Sequence, residues 1–266
     1  MSIKSSVSMI VLIILAVFIL LTAGIYSYQY KMIFFPELLP QNFQFQFDHQ
    51  FDELNYKTPD GYSINALHFK VHNPKGVVFY NHGNAGSLRT WGSVAETFLN
   101  NKYNLLIYDY RGFGKSEGKI SEEKLYKDAE MIYNSLLDLY SEDSIIVYGR
   151  SIGTGIATKI ATECKPKQLI LESPYYNLPD LIKKIFPIIP ARIIRFKFPN
   201  NERMQHIQSP IIIFHGTLDE VVYFGSSLKL EKLMKEKDQL IPIEGGHHND
   251  LAEFDDYHKE LALILK

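Results

Sequence analysis

The chain contains a single cysteine, Cys164, and this scarcity removes several classes of protein from consideration. One thiol cannot form an internal disulfide, and no Cys-x-x-Cys pair is present to build a zinc or dithiol redox site. The 28 Lys and Arg nearly balance the 30 Asp and Glu, giving a net charge of −2, so no electrostatic argument favours a nucleic-acid partner. Internal repeats and low-complexity blocks are also absent, which excludes a repeat architecture.

What the chain has is 266 residues, enough for one large domain with a substantial core. Short apolar runs alternate with segments of helical periodicity, which predicts an α/β fold with a mostly parallel central sheet flanked by helices. Besides the β-branched apolar run that precedes Gly149, described below, strands are predicted at 53–58, 62–71, 76–80, 105–108, 169–171, 211–214 and 240–243. Further helices are predicted at 90–99, 121–140, 225–236 and 251–265.

The longest apolar run lies at the N-terminus. Residues 5–30 carry no charge, and the stretch 7–26 is almost wholly apolar. About 20 helical residues span the roughly 30 Å hydrocarbon core of a bilayer. An aromatic cluster suited to the membrane interface then follows at Tyr26, Tyr28 and Tyr30.

We therefore expect residues 1–30 to be a retained single-pass membrane anchor that contacts membrane lipid. The alternative is a cleaved signal peptide, whose apolar region would usually have only about 7–15 residues. Lys4 and Lys31 flank the segment, so charge does not set its orientation. Residues 31–52 are predicted to form a connector that lies against the membrane face or the domain.

The strongest catalytic pattern is Gly149-Arg150-Ser151-Ile152-Gly153, which follows a β-branched apolar run and precedes a segment of helical composition. A serine at the apex of such a strand-to-helix turn adopts strained backbone angles, and its hydroxyl projects from the sheet. Glycines on either side let neighbouring backbone approach closely. We predict Ser151 as the nucleophile and the N–H of Ile152 as one donor to the oxyanion. The alternative is a structural turn.

Two later loops, each following a predicted strand, supply the remaining groups. A serine hydroxyl needs a base within hydrogen-bond reach, and an imidazole needs a carboxylate to fix its tautomer. Asp219 is the predicted acid, with Glu220 as the alternative. The base is His247 or His248, which are adjacent and cannot both face Ser151. A metal at this histidine pair is not expected, because adjacent histidines diverge and no third ligand is evident.

The glycine-rich loop at residues 82–86 follows the predicted strand 76–80 and is the second candidate oxyanion element. We predict that the backbone N–H of Asn84, or less favourably that of Ala85, acts with the N–H of Ile152. No Gly-Lys-Ser/Thr follows, so a phosphate-binding loop is disfavoured. The alternative is an ordinary glycine-rich turn.

These residues together resemble the α/β-hydrolase superfamily, from about Pro36 to the C-terminus. The motifs that carry the resemblance fall in the family's order: His82-Gly83-Asn84, Tyr108-Asp109-Tyr110-Arg111-Gly112-Phe113-Gly114-Lys115-Ser116, Gly149-Arg150-Ser151-Ile152-Gly153, Glu172-Ser173-Pro174, His215-Gly216-Thr217-Leu218-Asp219-Glu220 and His248-Asn249-Asp250. They are similar to its membrane-anchored branch, which includes eukaryotic protein depalmitoylases, lysophospholipid hydrolases and bacterial members often labelled serine aminopeptidase-like.

In that branch the catalytic histidine commonly precedes Asn-Asp or Asn-Asn, so the resemblance implies His248 rather than His247. A small residue more often stands where this chain has His247, which is a departure from the pattern. The resemblance implies an anchored serine hydrolase and does not carry a substrate.

The catalytic domain is expected at residues 53–266, with a small cap at about 174–209. Within the cap, residues 182–198 combine Ile, Phe and Pro with five basic residues and no acid. This segment either accepts an acyl chain and rests on anionic lipid, or is an ordinary helical cap with solvated charges.

We predict a membrane-anchored serine hydrolase that cleaves ester or thioester bonds of small-molecule or lipid acyl substrates. It uses a Ser-His-Asp triad and an acyl-enzyme, and requires no cofactor or metal. One alternative is a serine aminopeptidase-like peptidase, which would need carboxylates to hold the substrate amine. Another is a non-catalytic scaffold that binds lipid or protein. The sequence identifies no protein partner.

Overall fold

The structure, a computed structural model, describes residues 3–266, without the side chains of residues 3–8, 11, 21 and 25. Parts of the predicted anchor at residues 1–30 therefore lie outside the described residues. The strands are β1 (Phe35–Pro36), β2 (Phe51–Lys57), β3 (Ser63–Phe69), β4 (Gly76–Asn81), β5 (Ala85–Gly86), β6 (Tyr103–Tyr108), β7 (Ile145–Arg150), β8 (Gln168–Glu172), β9 (Ile211–Gly216) and β10 (Gln239–Ile243). The α-helices are α1 (Ile3–Ile33), α2 (Leu88–Trp91), α3 (Ala95–Asn100), α4 (Glu122–Leu136), α5 (Gly153–Glu163), α6 (Leu178–Ile185), α7 (Asn200–Met204), α8 (Gly225–Glu231) and α9 (Asp255–Ile264).

Eight of these strands form one sheet in the order β10-β9-β8-β7-β4-β6-β3-β2. The pairs β2–β3 and β3–β6 are antiparallel, and the other neighbours are parallel. The mostly parallel α/β sheet predicted from the sequence is therefore confirmed. Because β7 lies between β4 and β8, the turn at its carboxyl end opens inside the sheet rather than at an edge.

The sheet is buried on both faces, as the continuous apolar runs of its inner strands require. Successive residues of β4 alternate between two cores: Val77 packs in one apolar cluster and Val78 in the other. The first cluster includes side chains of α4 and α5, and the second includes side chains of α3 and α9. This double covering fixes the strands and so fixes the loops at their carboxyl ends.

The helix predicted at 90–99 is interrupted. The chain forms α2, then a 3₁₀ turn at Gly92–Val94, and then α3. A Cβ on Gly92 would lie 2.2 Å from Cζ of Phe47, so the glycine lets this connector residue rest directly on the helical segment. Glycine also costs about 1 kcal/mol relative to alanine inside a helix, which favours a break at this point.

The helix predicted at 121–140 ends earlier than expected, at Leu136. It begins as its sequence predicts, because the Ser121 side chain caps it by accepting the N–H of Lys124. Its predicted last residue, Tyr140, instead bonds through its hydroxyl to His68 at 2.9 Å and Asn104 at 2.8 Å. Beyond Leu136 the chain forms a single turn, in which the N–H of Tyr140 donates to the carbonyl of Leu136 at 2.8 Å, and the Tyr140 side chain is held by the two sheet residues.

The N-terminal region consists of α1 and the predicted connector. Within the described residues no single helix is long and apolar enough to cross a membrane, although Leu12–Gly24 and Tyr26–Ile33, bent by 45°, pass together on length and composition. The membrane anchor therefore stays a prediction. Beyond α1 the connector lies on the domain: β1 pairs with β5 in parallel, and the ring of Phe47 packs 5.3 Å from that of Phe69.

Candidate active site

Ser151 occupies the sharp turn between β7 and α5, where the sequence predicts a nucleophile. Its φ is +52°, a left-handed value that costs a non-glycine residue on the order of 1–3 kcal/mol. Its backbone N–H donates to the carbonyl of Glu172 in β8 at 2.9 Å, which ties the turn to the neighbouring strand. The serine hydroxyl therefore projects at the carboxyl edge of the sheet from a backbone that the strands hold in place.

Two glycines allow this turn to form. A Cβ on Gly153 would lie 2.1 Å from the carbonyl oxygen of Asn81, and one on Gly149 would lie 2.7 Å from Cβ of Ala157. Neither position has room for a side chain, because the start of α5 packs directly against β4 and β7. The Gly-x-Ser-x-Gly spacing is thus a packing requirement of the strand, turn and helix.

Three loops bring Ser151, His248 and Asp219 into one hydrogen-bonded chain. The serine Oγ lies 3.0 Å from Nε2 of His248, and Nδ1 of His248 lies 2.7 Å from Oδ2 of Asp219. A carboxylate can only accept, so we assign the imidazole proton to Nδ1, which leaves Nε2 free to accept the serine proton. All three side chains are buried. This arrangement can deprotonate the serine during nucleophilic attack.

Asp219 is fixed by more than its contact with His248. Its Oδ1 accepts the backbone N–H groups of Val221 at 2.9 Å and Val222 at 2.7 Å, and Nε2 of His215 lies 3.2 Å from Oδ2. Burial alone would raise the pKa of this carboxyl, but the hydrogen bonds from His215 and His248 outweigh it and hold the pKa well below its usual range. Asp219 is therefore ionised at neutral pH.

The alternative acid and base, Glu220 and His247, lie together elsewhere. Nδ1 of His247 is 3.0 Å from Oε2 of Glu220, and both side chains are exposed. The hydrogen bond to Glu220 raises the pKa of His247 above its ordinary value. The structure thus brings His248 and Asp219 to Ser151, whereas their neighbours pair with each other on the surface.

The described part of the chain contains no group of three or more His, Cys, Asp or Glu side chains arranged to hold a metal ion.

The loop after β4 carries the candidate oxyanion donor Asn84. Within residues 3–266 the backbone N–H groups of Asn84 and Ile152 donate to no acceptor, as expected of oxyanion donors. The Asn84 side chain is engaged: its Nδ2 donates to the carbonyl of Ile33 at 2.8 Å. The second candidate, Ala85, belongs to β5 and pairs with β1. His82 bonds the loop backbone through Nδ1, 2.7 Å from the carbonyl of Gly83.

Comparison with known proteins shows which family the chain belongs to. The family model described as "Serine aminopeptidase, S33" matches residues 72–201. Human alpha/beta hydrolase domain-containing protein 17B is 32% identical over 199 residues, which cover 73% of this chain and 67% of that protein. The chain belongs to the α/β-hydrolase superfamily. Alpha/beta hydrolase domain-containing protein 17C of Xenopus tropicalis is also 32% identical, over 193 residues that cover 71% of this chain and 61% of that protein.

Solved structures share the α/β-hydrolase fold. An esterase of Pyrococcus furiosus superposes with a TM-score of 0.70 at 19% identity, covering 88% of this chain and 97% of that one. An alpha-beta hydrolase of Vibrio vulnificus gives a TM-score of 0.66, also at 19% identity, with 80% of each chain covered. At such low identity these structures support the fold and not a particular substrate.

One group of this α/β-hydrolase site was not anticipated from the sequence. Nε of Arg150 lies 2.9 Å from Oε1 of Glu172, its Nη2 donates to the carbonyl of His248 at 3.1 Å, and its guanidinium lies 5.1 Å from the ring centre of Trp91. Arg150 thus joins the nucleophile turn to the histidine loop. A signal was available, since a charged residue at the end of a buried strand needs a partner of opposite charge.

An apolar cavity of about 90 Å³ lies between the end of α1, helix α6 and the residues that follow α6, within the predicted cap. It is lined by Gln29, Met32, Ile33, Ile182, Phe186, Ile189 and Ile194. Ile33, which lines the cavity, also accepts through its carbonyl the hydrogen bond from Nδ2 of Asn84. Lys183 and Lys184 lie in the last turn of α6 beside these apolar side chains.

Proposed function

We propose that this α/β-hydrolase is a membrane-anchored serine hydrolase that cleaves ester or thioester bonds of acyl-chain substrates. The observation that carries the proposal is the chain of two hydrogen bonds, 3.0 Å and 2.7 Å long, from Ser151 through His248 to Asp219. Such a chain supplies the activated hydroxyl that acyl transfer requires. No metal or cofactor takes part in the proposed reaction.

The reaction begins when Oγ of Ser151 attacks the acyl carbonyl carbon and its proton passes to Nε2 of His248. Asp219 stabilises the imidazolium, and the N–H groups of Asn84 and Ile152 hold the oxyanion. As the tetrahedral intermediate collapses, the carbon–oxygen or carbon–sulfur bond breaks and His248 protonates the leaving alcohol or thiol. A water molecule, deprotonated by His248, then attacks the acyl-enzyme, and the carboxylic acid leaves with Ser151 restored.

The preference for acyl chains is supported by the walls of the cavity beside the cap. Six of the seven side chains that line it are apolar, and they come from α1, α6 and the segment that follows α6. Burying a methylene group in such surroundings contributes about 0.8 kcal/mol to binding. The cap segment 182–198 contains no carboxylate to hold a substrate amine.

The membrane anchor is supported by the surface of α1. Large apolar side chains stand exposed along the helix, among them Leu12, Phe18 and Leu20, with Tyr26 and Tyr28 nearer its end. A continuous apolar surface of this kind is unfavourable in water and favourable in lipid. We propose that these side chains contact acyl tails, with the tyrosines at the interface.

A second candidate function is a peptidase that acts on the N-terminal residue of short substrates. It is favoured by the family model that matches residues 72–201, which is described as a serine aminopeptidase. The same Ser-His-Asp chemistry would serve both reactions, so only substrate preference separates them.

A fluorophosphonate probe and a substrate panel test the proposal. The full-length protein should react with the probe, Ser151→Ala should not, and the control Ser93→Ala should react normally because this exposed hydroxyl bonds only to the carbonyl of Thr90. Rates are then compared across p-nitrophenyl esters of increasing chain length, acyl thioesters and aminoacyl anilides. A preference for anilides would replace the esterase with the peptidase. A folded protein that neither reacts with the probe nor hydrolyses any substrate would refute both.

The anchor is tested by fractionation. Full-length protein should stay in the membrane pellet after carbonate extraction, whereas a protein that begins at Gln29 should be released. Retention of the truncated protein would show that the cap, rather than α1, makes the attachment.

A further inference from the structure

The segment that follows α1 lies along the loop that carries Asn84. We call residues 33–39 the strap. Its Phe35 N–H donates to the carbonyl of Asn84 at 2.8 Å, and its Glu37 N–H donates to the carbonyl of Gly86 at 2.9 Å. The strap is therefore hydrogen-bonded to the candidate oxyanion loop on both sides of Ala85.

The strap also contacts the Asn84 side chain. Ile33 is the last residue of α1, and its carbonyl is one of the four at a helix end that have no partner within the helix. Nδ2 of Asn84 donates to this carbonyl at 2.8 Å. Asn84 is thus bound to the strap at two atoms, its side-chain amide and its backbone carbonyl, while its backbone N–H has no acceptor among the described residues.

The strap is itself fixed to the domain. Phe34 is buried and packs edge-to-face on Phe113 and Phe196, with ring centres 6.3 Å and 5.3 Å away. The N–H of Gly114 donates to the carbonyl of Glu37 at 2.8 Å. A segment anchored at this many points can hold a neighbouring loop in one position.

One turn earlier, α1 is tied to the cap. The buried Gln29 donates through Nε2 to the carbonyl of Ile193 at 2.6 Å and accepts the N–H of Arg195 at 2.7 Å. The end of α1 therefore bridges two elements that border the candidate site, the cap and the oxyanion loop.

We propose that Asn84 is a positioning residue whose side chain, by donating to the Ile33 carbonyl, aims its own backbone N–H at the oxyanion. This inference rests on the function proposed above. It makes the end of the N-terminal helix a part of the active site and gives that helix a role in catalysis in addition to attachment.

The physical reason is preorganisation. Donors stabilise an oxyanion well only when they already point at the position that its charge will occupy. The loop contains Gly83 and Gly86, the latter with φ of +83°, so its own backbone does little to restrict it. His82 bonds the carbonyl of Gly83, and Nε1 of Trp91 donates to the carbonyl of Ala85 at 2.7 Å. The contacts with the strap add the restriction at Asn84 itself.

Substitution of Asn84 separates its side chain from its backbone N–H. Asn84→Ala keeps the N–H but loses the bond to Ile33, and we expect kcat to fall about 10- to 100-fold while KM stays within about twofold. A boronic acid that forms a tetrahedral adduct with Ser151 should lose affinity by a factor similar to the loss in kcat. Asn84→Asp has nearly the same shape but no donor, so its loss should be at least as large.

The matched control is the buried Asn104, which lies near the amino end of β6, whereas the candidate site lies at the carboxyl ends of the strands. Its Nδ2 donates to the hydroxyl of Tyr140 at 2.8 Å, and its Oδ1 accepts the N–H of Val71 at 2.8 Å. Asn104→Ala should lower the melting temperature and leave kcat and the affinity for the boronic acid within about twofold of the wild type.

Two results would overturn the positioning role. One is an Asn84→Ala protein whose kcat and inhibitor affinity match those of Asn104→Ala, and the other is a rise in KM with no fall in kcat. In both, the wild-type enzyme remains active, so the proposed function survives. A wild-type protein that is inactive and does not react with the fluorophosphonate overturns the function and the positioning role together.

Discussion

Two acid–histidine pairs lie side by side in the last two loops at the site, and they differ in burial rather than in composition. Asp219 and His248 are 2.7 Å apart, with side chains 0% and 7% exposed. Glu220 and His247 are 3.0 Å apart, with side chains 61% and 51% exposed. Each pair joins the same two loops, and each partner differs from its counterpart by one position in the chain.

This difference shows that pairing alone does not make a catalytic group. In the exposed pair, water and salt screen the attraction, and such contacts contribute between about 0 and 1 kcal/mol. In the buried pair, the carboxylate also accepts two backbone N–H groups, and the imidazole reaches Ser151. The environment around the pair decides which histidine can serve as a base.

The largest expected effect is the difference in kcat/KM between substitutions of the two histidines. His248→Ala removes the base and should lower kcat/KM by about 10⁵-fold, whereas His247→Ala should change it by less than about threefold. Both are measured on the best substrate of the ester panel. The opposite ranking would assign the base to His247.

The second largest effect should be the difference in kcat between variants of the two acids, Asp219 and Glu220. Asp219→Asn preserves the shape but removes the charge that orients and stabilises the imidazolium, so kcat should fall about 10⁴-fold. Glu220→Gln keeps an exposed side chain of the same size, and kcat should stay within about twofold. Comparable losses in the two variants would mean that the exposed pair also supports catalysis.

The contrast between buried and exposed pairs can also be tested on the free energy of unfolding, with ion pairs elsewhere in the protein. Arg150→Met leaves Glu172 as an unpaired buried charge and should lower the free energy of unfolding by about 3 kcal/mol. Lys70→Met, which breaks the exposed pair with Asp52, should cost less than about 1 kcal/mol. Denaturant titration of the detergent-solubilised protein measures both. Equal losses would contradict the importance of burial.

The smallest effects should appear in the pH dependence of stability. The pKa of Asp219 is lowered by folding, so its contribution is present above its unfolded pKa of about 4 and is lost as the pH falls below that value. The stability difference between the wild type and Asp219→Asn, measured by denaturant titration, should therefore shrink as the pH falls below about 4.

His247 should behave in the opposite sense. Its pKa is raised by the hydrogen bond to Glu220, so any stabilisation is present below its unfolded pKa of about 6.5 and is lost as the pH rises through the folded value. Glu220→Gln should remove this small slope near neutral pH. Because folding also lowers the pKa of the Glu220 carboxyl, the variant should lose a small part of the acid-side slope as well. An unchanged slope in that variant would assign it to another group.

The sheet and the nucleophile turn were predictable because their signals are local. A continuous apolar run that ends at a glycine–serine–glycine turn admits few conformations, and Ser151 adopts the strained φ that this pattern predicts. The sequence Pro59-Asp60-Gly61, between the predicted strands 53–58 and 62–71, is another local turn signal, and Gly61 has a φ of +88° between β2 and β3.

Local sequence could not decide which of the two histidines faces Ser151. Periodicity and spacing left His247 and His248 equal, and only the family resemblance favoured His248. The pairing of β1 with β5 could not be predicted from the sequence either, because a two-residue strand has no periodic pattern. The contact between Arg150 and the His248 carbonyl joins positions 98 residues apart, so it depends on the completed fold.

A single residue, Phe34, separates the last residue of α1 from β1, and β1 pairs directly with the loop at the candidate site. The apolar helix therefore continues almost directly into the strand that pairs with the loop carrying Asn84. If α1 is embedded as we propose, the catalytic centre sits at a fixed, short height above the bilayer surface. Such an enzyme would act only on substrates in the leaflet nearest to its catalytic domain. Residues inserted after Ile33 would change the distance between the catalytic centre and the bilayer.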